Sequence, residues 1–128
     1  MPRARFAFAL APVLAHRRGI ETRHRAALAV ALNEYAAAGN RLDELERRAR
    51  SAQAFGLHRG FLESLNVARD AQAGMLAALG ARADLARDEV LAAAAQTRAL
   101  ERLEARRRRE HEARELRAEQ EELDEVNR

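Results

Sequence analysis

Residues 55–61 read Phe55-Gly56-Leu57-His58-Arg59-Gly60-Phe61, and this short stretch decides the fold. It places two glycines four residues apart, and glycine adopts the positive φ of a helix C-terminal cap more readily than any other residue. Long segments rich in alanine and leucine lie on both sides of it. Because a connection of a few residues joins helices that are antiparallel neighbours, the stretch predicts a hairpin turn over about residues 56–60.

A heptad pattern precedes this turn, with steps of three and four residues that connect positions on one helix face. The pattern is polar at its start and apolar from Leu28 onward. Its positions are Leu14, Arg17, Glu21, His24, Leu28, Ala31, Tyr35, Ala38, Leu42, Leu45, Ala49, Ala52 and Gly56. They predict helix one over about residues 12–56, preceded by an extended lead-in over residues 1–11, because Pro12 suits the first turn of a helix.

A second heptad pattern follows the turn and predicts helix two over about residues 61–126. Its positions are Leu65, Ala68, Gln72, Leu76, Leu79, Ala83, Ala86, Val90, Ala93, Thr97 and Leu100. The two patterns together predict an all-α fold, in which two long helices form an antiparallel coiled-coil hairpin and the second helix is longer and overhangs. The whole chain, residues 1–128, is expected to be a single coiled-coil domain.

The composition supports this fold class and excludes several others. Of the 128 residues, 48% are hydrophobic, 34% are charged and about a quarter are alanine, while aromatic residues make up 4%. Alanine, leucine, arginine and glutamate are strong helix formers, and β-branched residues are too few for a sheet. The chain has no cysteine, which excludes disulfides, thiolate zinc sites and cysteine nucleophiles.

The tail of helix two differs from the rest of the hairpin. Beyond Leu103 apolar residues almost stop, and charged pairs four residues apart, such as Glu104 with Arg108, can support a solvated helix. The tail is therefore predicted to be helical but unpaired. Residues 1–60 carry 11 arginines against 5 acids, whereas residues 61–128 carry 12 against 15, so the two halves attract each other.

Glycines inside the predicted helices include Gly39, Gly74 and Gly80. Each costs about 1 kcal/mol of helix stability relative to alanine. Such positions mark either a bend or a close contact between helices, and the sequence leaves both interpretations open.

The sequence offers little chemistry for catalysis. The four histidines are scattered, the carboxylates spread along helix faces, and no glycine-rich phosphate loop occurs, so neither an enzyme nor a metal or organic cofactor is expected. Arg106–Arg109 could neutralise phosphates, but glutamates flank this run and no aromatic residue follows Phe61 to stack a base. A solvated charged face or an acidic protein partner is favoured over nucleic acid.

The apolar opening of the chain has two further interpretations. Met1 to Arg5 is basic and Phe6 to Ala15 is almost wholly apolar, as in a secretory signal peptide. The second interpretation is a basic amphipathic helix that binds a membrane surface, although Glu21 and the alanine-rich turns weaken its basic and amphipathic character. Pro12 splits the apolar run, which favours the extended lead-in, and no direct membrane insertion is expected.

Taken together, several segments resemble the FliJ family, the stalk proteins of the flagellar type III export apparatus. They are the opening Phe6-Ala7-Phe8-Ala9-Leu10-Ala11-Pro12-Val13-Leu14, Tyr35, the segment Gly60-Phe61-Leu62-Glu63-Ser64-Leu65, and the close Glu119-Gln120-Glu121-Glu122-Leu123-Asp124-Glu125. The resemblance covers essentially the whole chain. It implies an antiparallel coiled coil similar to the two-helix part of the rotary ATPase γ subunit.

The same resemblance implies a non-enzymatic component of flagellar protein export. Its partners would be the flagellar export ATPase hexamer, whose central pore receives the paired helix ends, a membrane export-gate protein, and the export chaperones that it helps to recycle. It would act in the cytoplasm, peripherally associated with the inner membrane at the flagellar base. This location also lowers the signal-peptide interpretation.

The resemblance further implies two sets of partner-binding residues. Those expected to face the ATPase ring are Phe6, Phe8, Leu10, Leu14, Leu103, Arg106, Arg107, Arg108, Arg109, Leu116, Leu123, Asp124 and Glu125. Those expected to face the export gate are Leu28, Leu32, Tyr35, Phe61, Leu65, Ala68 and Gln72. Tyr35 and Leu65 also belong to the heptad patterns, so packing in the core is the alternative for both.

Two other functions remain open at this point. The first is a coiled-coil stalk protein of a virulence-type secretion system, which would have the same fold and a similar role in protein export. A periplasmic helical chaperone, released by cleavage after the alanine-rich opening, would share the fold alone.

Overall fold

The computed structural model describes residues 5–56 and 58–128, and these residues contain two long α-helices. Helix α1 spans Ala11–Ala54 and contains 44 residues, and helix α2 spans Arg59–Val126 and contains 68. The described residues include no strand, and the two helices pack against each other, which confirms the predicted all-α helical hairpin. Residues 1–4 of the predicted lead-in and Leu57 of the predicted turn lie outside the described residues.

The described residues form two compact units. The first combines residues 5–21 with Ala92–Arg128, and the second is Thr22–Leu91. In the second unit, the Gln72 amide donates to the Ala38 carbonyl at 3.2 Å, and His24 Nδ1 lies 3.4 Å from Glu89 Oε2. As residue numbers fall along α1 they rise along α2, so the helices are antiparallel.

Small side chains hold the helices of the second unit together. Ala31 packs with Ala83 and Ala86, and Leu28 covers this cluster. A second cluster nearer the turn consists of Ala49, Ala52 and Leu65, flanked by Leu45 and Leu62. Alanine on both faces lets helices approach toward the lower end of the usual 8–10 Å spacing. The predicted heptad positions therefore supply most of this core.

The heptad prediction is wrong at two positions. Ala68 is exposed and Arg69 is half-buried in its place, and Gly56 is exposed in the turn. The later positions Leu76, Ala83 and Val90 recur every seven residues, and the same spacing counted back from Leu76 gives Arg69. The predicted pattern takes two successive steps of four residues from Ala68 to Leu76, so it is one residue out of frame at Ala68. Tyr35 faces α2 as predicted, although 42% of its surface remains exposed.

The glycines inside the helices of the second unit do not all serve the same purpose. A Cβ atom placed on Gly80 would lie 3.1 Å from Cε2 of Tyr35, so the Tyr35 ring rests against the bare backbone there. A Cβ atom on Gly39 would lie 3.9 Å from Leu76, whereas one on Gly74 would meet open space. Close contact is therefore the correct interpretation for Gly80.

The turn is built by backbone and side-chain caps. Gly56 has a φ of 66°, and its N–H donates to the Gln53 carbonyl at 3.2 Å as α1 ends. His58 lies just before α2, and its Nδ1 accepts a hydrogen bond of 3.0 Å from the Gly60 N–H. This bond satisfies one of the free N–H groups that every helix N-terminus presents.

In the first unit, Leu14 is 2% exposed and provides the largest buried side chain of α1 there. Ala93, Ala94 and Thr97 of α2 are also buried, and the Thr97 hydroxyl donates to the Ala93 carbonyl at 3.1 Å. Arg17 donates to the Gln96 side chain at 2.6 Å. The arginines of α1 therefore add polar contacts at the rim of a small apolar core.

We expect Gly56→Ala to lower the free energy of unfolding by about 1 kcal/mol, because an L-residue is strained at this positive φ. Gly74→Ala is the matched control, since Gly74 lies in open space inside a helix. It should raise the free energy of unfolding by up to about 1 kcal/mol. Urea unfolding followed by far-ultraviolet circular dichroism measures both values. Equal effects of the two substitutions would show that Gly56 does not require its left-handed conformation.

Candidate partner-binding surfaces

The lead-in of the first unit folds onto the tail of α2 through one aromatic side chain. The Arg108 guanidinium lies 4.7 Å from the centre of the Phe6 ring, and the His111 ring centre lies 5.7 Å from it at a tilt of 52°. Arg108 also lies 3.6 Å from Glu104. We call Phe6, Arg108 and His111 the clasp.

The clasp corrects one prediction. The sequence predicts a helical tail without a partner beyond Leu103, and α2 is indeed helical to Val126. The tail is nevertheless paired as far as His111, because Phe6 reaches it. The heptad argument could not find this contact, because the lead-in is not helical. The half-buried Phe6, Phe8 and Leu10 alternate with exposed residues, and this spacing shows which side of the lead-in packs but not which residues of α2 it meets.

Beyond the clasp, the tail exposes apolar and acidic side chains side by side. Leu116 is 62% exposed, Leu123 is 61% and Val126 is 81%. Leu123 and Val126 line a shallow open depression together with Glu119 and Glu122. Large apolar side chains in water lose the free energy that burial would provide, about 25 cal/mol per Å² of apolar surface. This end of α2 is therefore suited to a partner.

All of the residues expected to face an ATPase ring belong to the first unit. Leu14 is buried, and Phe6, Phe8, Leu10 and Leu103 are half-buried. The remaining side chains are exposed: Arg106, Arg107, Arg108, Arg109, Leu116, Leu123, Asp124 and Glu125. The structure brings Phe6 together with Arg108, whereas Leu14 offers almost no surface to a partner.

All seven residues expected to face an export gate belong to the second unit. The exposed ones are Phe61 at 50%, Tyr35 at 42%, Leu32 at 38%, and Ala68. Leu28 is half-buried against the cluster of Ala31, Ala83 and Ala86, and the half-buried Gln72 bonds Ala38. Leu65 is 8% exposed and packs in the core.

The sequence reasoning missed other exposed apolar residues of the second unit. Phe55 is 82% exposed and Val67 is 69% exposed, both within a few residues of the turn. Val30 and Leu85 line an open groove between α1 and α2, beside an ion pair of 3.5 Å between Glu34 and Arg82. These four apolar residues are large and lie outside the heptad patterns. That combination is the sequence signal that could have identified them as exposed.

One carboxylate of the second unit has a perturbed pKa. Glu44 accepts hydrogen bonds from Arg47 at 2.7 Å and from Arg48 at 3.2 Å. The hydrogen bond and the charge of Arg47, helped by Arg48, lower the pKa of Glu44. This solvent-exposed group stabilises a helix surface, and nothing in its surroundings indicates catalysis.

The described residues lack two other kinds of site. They contain no group of three histidine, aspartate or glutamate side chains that could hold a metal ion. No helix among them is long and apolar enough to cross a membrane.

Comparison with models of known protein families shows which family the chain belongs to. A family model described as the flagellar FliJ protein matches residues 6–128, which is nearly the whole chain. The chain belongs to the FliJ family. FliJ proteins are components of flagellar protein export, and this membership confirms the resemblance seen in the sequence. Neither the curated proteins nor the solved structures include a match to it.

The clasp predicts an energetic coupling between Phe6 and Arg108. In a double-mutant cycle of Phe6→Ala and Arg108→Ala, we expect a coupling of about 0.5–1 kcal/mol, as is usual for an exposed cation–π pair. Arg107→Ala replaces Arg108→Ala in the control cycle and should couple by roughly zero, because Arg107 does not contact the ring. Equal coupling in the two cycles would contradict the clasp.

Proposed function

We propose that this FliJ-family protein couples the flagellar export ATPase ring to a membrane export gate, without catalysis of its own, and acts as a general export chaperone. The family match over residues 6–128 carries this proposal. The same match favours the flagellar over the virulence-type apparatus. The protein would work at the flagellar base, peripherally associated with the cytoplasmic side of the inner membrane, in flagellar biogenesis, motility and chemotaxis.

The first unit is the part proposed to contact the ATPase ring. Arg106–Arg109 is an exposed run of four cations, and the segment from Glu119 to Glu125 carries five acids. A helix with both signs of charge can match a pore lined by polar side chains, and such matching increases association rate and specificity. The exposed Leu116 and Leu123 would supply apolar contact beside these charges.

The second unit is the part proposed to contact the export gate. Phe61, Tyr35 and Leu32 are large side chains that remain 38–50% exposed. Aromatic residues are enriched at protein interfaces because they bury a large area at a low cost in conformational entropy. Buried residues of the same predicted set, above all Leu65, would position these side chains by packing beneath them.

The proposal predicts separable effects on ATP hydrolysis by the cognate flagellar ATPase. A chain that ends at residue 115 retains the clasp but lacks Leu116 and the acids beyond it. We expect this truncation to abolish most of the stimulation of ATP hydrolysis while far-ultraviolet circular dichroism shows a hairpin that still unfolds cooperatively. Stimulation should also weaken as salt rises, because a Debye length of about 10 Å at 0.1 M screens exposed charges.

Phe61→Ala should leave ATPase stimulation unchanged and weaken binding to the soluble domain of the gate protein. Met75→Ala is its control, since Met75 is 51% exposed on the same helix and belongs to neither predicted partner-binding set. Unchanged stimulation by the truncated chain would remove the tail from the mechanism. Loss of stimulation by Phe61→Ala would mean that the two units have been assigned to the wrong partners.

A further inference from the structure

A second line of residues runs along α2 of the first unit, on a face that α1 does not cover. It follows the alternating steps of four and three residues that define a coiled-coil seam, except that the position between Leu116 and Leu123 holds the half-buried Glu119, which is not counted in the line. Its first half presents Arg98, Arg102, Ala105 and Arg109, and its second half presents Glu112, Leu116 and Leu123. All seven side chains are exposed. We call these seven residues the tail stripe.

Charge is separated along this part of α2. Residues 98–109 contain six arginines and two glutamates, whereas residues 110–125 contain two arginines and eight acids. A helix that is basic in one half and acidic in the other is complementary to a second copy of itself in the antiparallel direction. In the parallel direction, by contrast, like charges would oppose each other and destabilise the pair.

Antiparallel pairing of two tail stripes also matches their side chains in size. With the two-fold axis between residues 110 and 111, Arg109 of one chain faces Glu112 of the other. In the same register the small Ala105 faces the large Leu116, and the aliphatic stem of Arg98 covers Leu123. Each contact occurs twice because a two-fold interface is isologous. One register therefore satisfies both the charges and the exposed leucines.

We propose that two copies of this chain associate through their tail stripes as an antiparallel, two-fold symmetric pair. The tail stripe runs for about 38 Å at 1.5 Å per residue, which is long enough for a coiled-coil contact. The clasp residues are not members of the tail stripe. This inference goes beyond the proposed function and does not rest on it. Because the pair would cover Arg109, Leu116 and Leu123, self-association and binding to the ATPase ring would compete for the same residues.

Sedimentation velocity of the purified full chain measures the association. In low salt the protein should move from monomer to dimer as its concentration rises, and high salt should shift it back to monomer. In Arg109→Glu the new carboxylate faces Glu112 of the other chain, and the two-fold axis repeats this repulsion. The substitution should therefore raise the dimer dissociation constant by about tenfold. The double variant Arg109→Glu with Glu112→Arg restores the opposite charges and should restore dimerisation.

The leucines provide a second test with a matched control. Leu116→Asp should abolish the dimer, whereas Leu91→Asp should not, because Leu91 is 59% exposed but lies outside the tail stripe. A chain that stays monomeric at high concentration in low salt would overturn the proposal. Equal dissociation constants for the Leu116→Asp and Leu91→Asp variants would also overturn it.

Disulfide cross-linking tests the register directly, because the chain has no cysteine of its own. Ala105→Cys combined with Leu116→Cys should give a covalent dimer on oxidation. Within one helix these positions are about 16 Å apart, too far for an intramolecular disulfide. Ala105→Cys combined with Leu123→Cys is out of register and should cross-link poorly. Efficient cross-linking by Ala105→Cys alone would indicate a parallel pair and contradict the proposal.

Discussion

The close approach of two alanine-rich helix faces is the contact on which the rest of the structure depends. Ala31 of α1 meets Ala83 and Ala86 of α2, and Ala49 and Ala52 meet Leu65 nearer the turn. Each alanine buries little apolar area, so stability must come from many such positions in register. The caps at Gly56 and His58 matter for the same reason, because they fix the register from one end.

A narrow interior also determines what the surface presents. The buried positions of the second unit hold alanine or, at position 65, leucine, whereas the aromatic side chains that the structure describes in this unit are exposed. Tyr35 rests over the bare backbone of Gly80 with 42% of its surface exposed, and Phe61 is half exposed. The constraint that builds the hairpin thus leaves large apolar groups available to partners.

Most of the fold could be predicted from the sequence because its determinants are local and periodic. The heptad patterns identify the buried Leu14, Ala38 and Ala52, and the glycines identify the turn. The interior position Arg69 was missed: it lies seven residues before Leu76, but it is charged, and the apolar Ala68 beside it fits the expected interior better. The contact of Phe6 with Arg108 depends on the path of a non-helical segment, and the alternation of large and small residues along that segment does not specify the path.

The register of α1 against α2 is the central claim, and one nuclear magnetic resonance experiment tests it most directly. Tyr35 is the only tyrosine in the chain, so cross-relaxation from its ring protons is assigned without ambiguity. The structure predicts strong nuclear Overhauser effects between the Tyr35 ring and the α protons of Gly80. Effects to the α protons of Gly74 instead would contradict the register, because Gly74 faces open space.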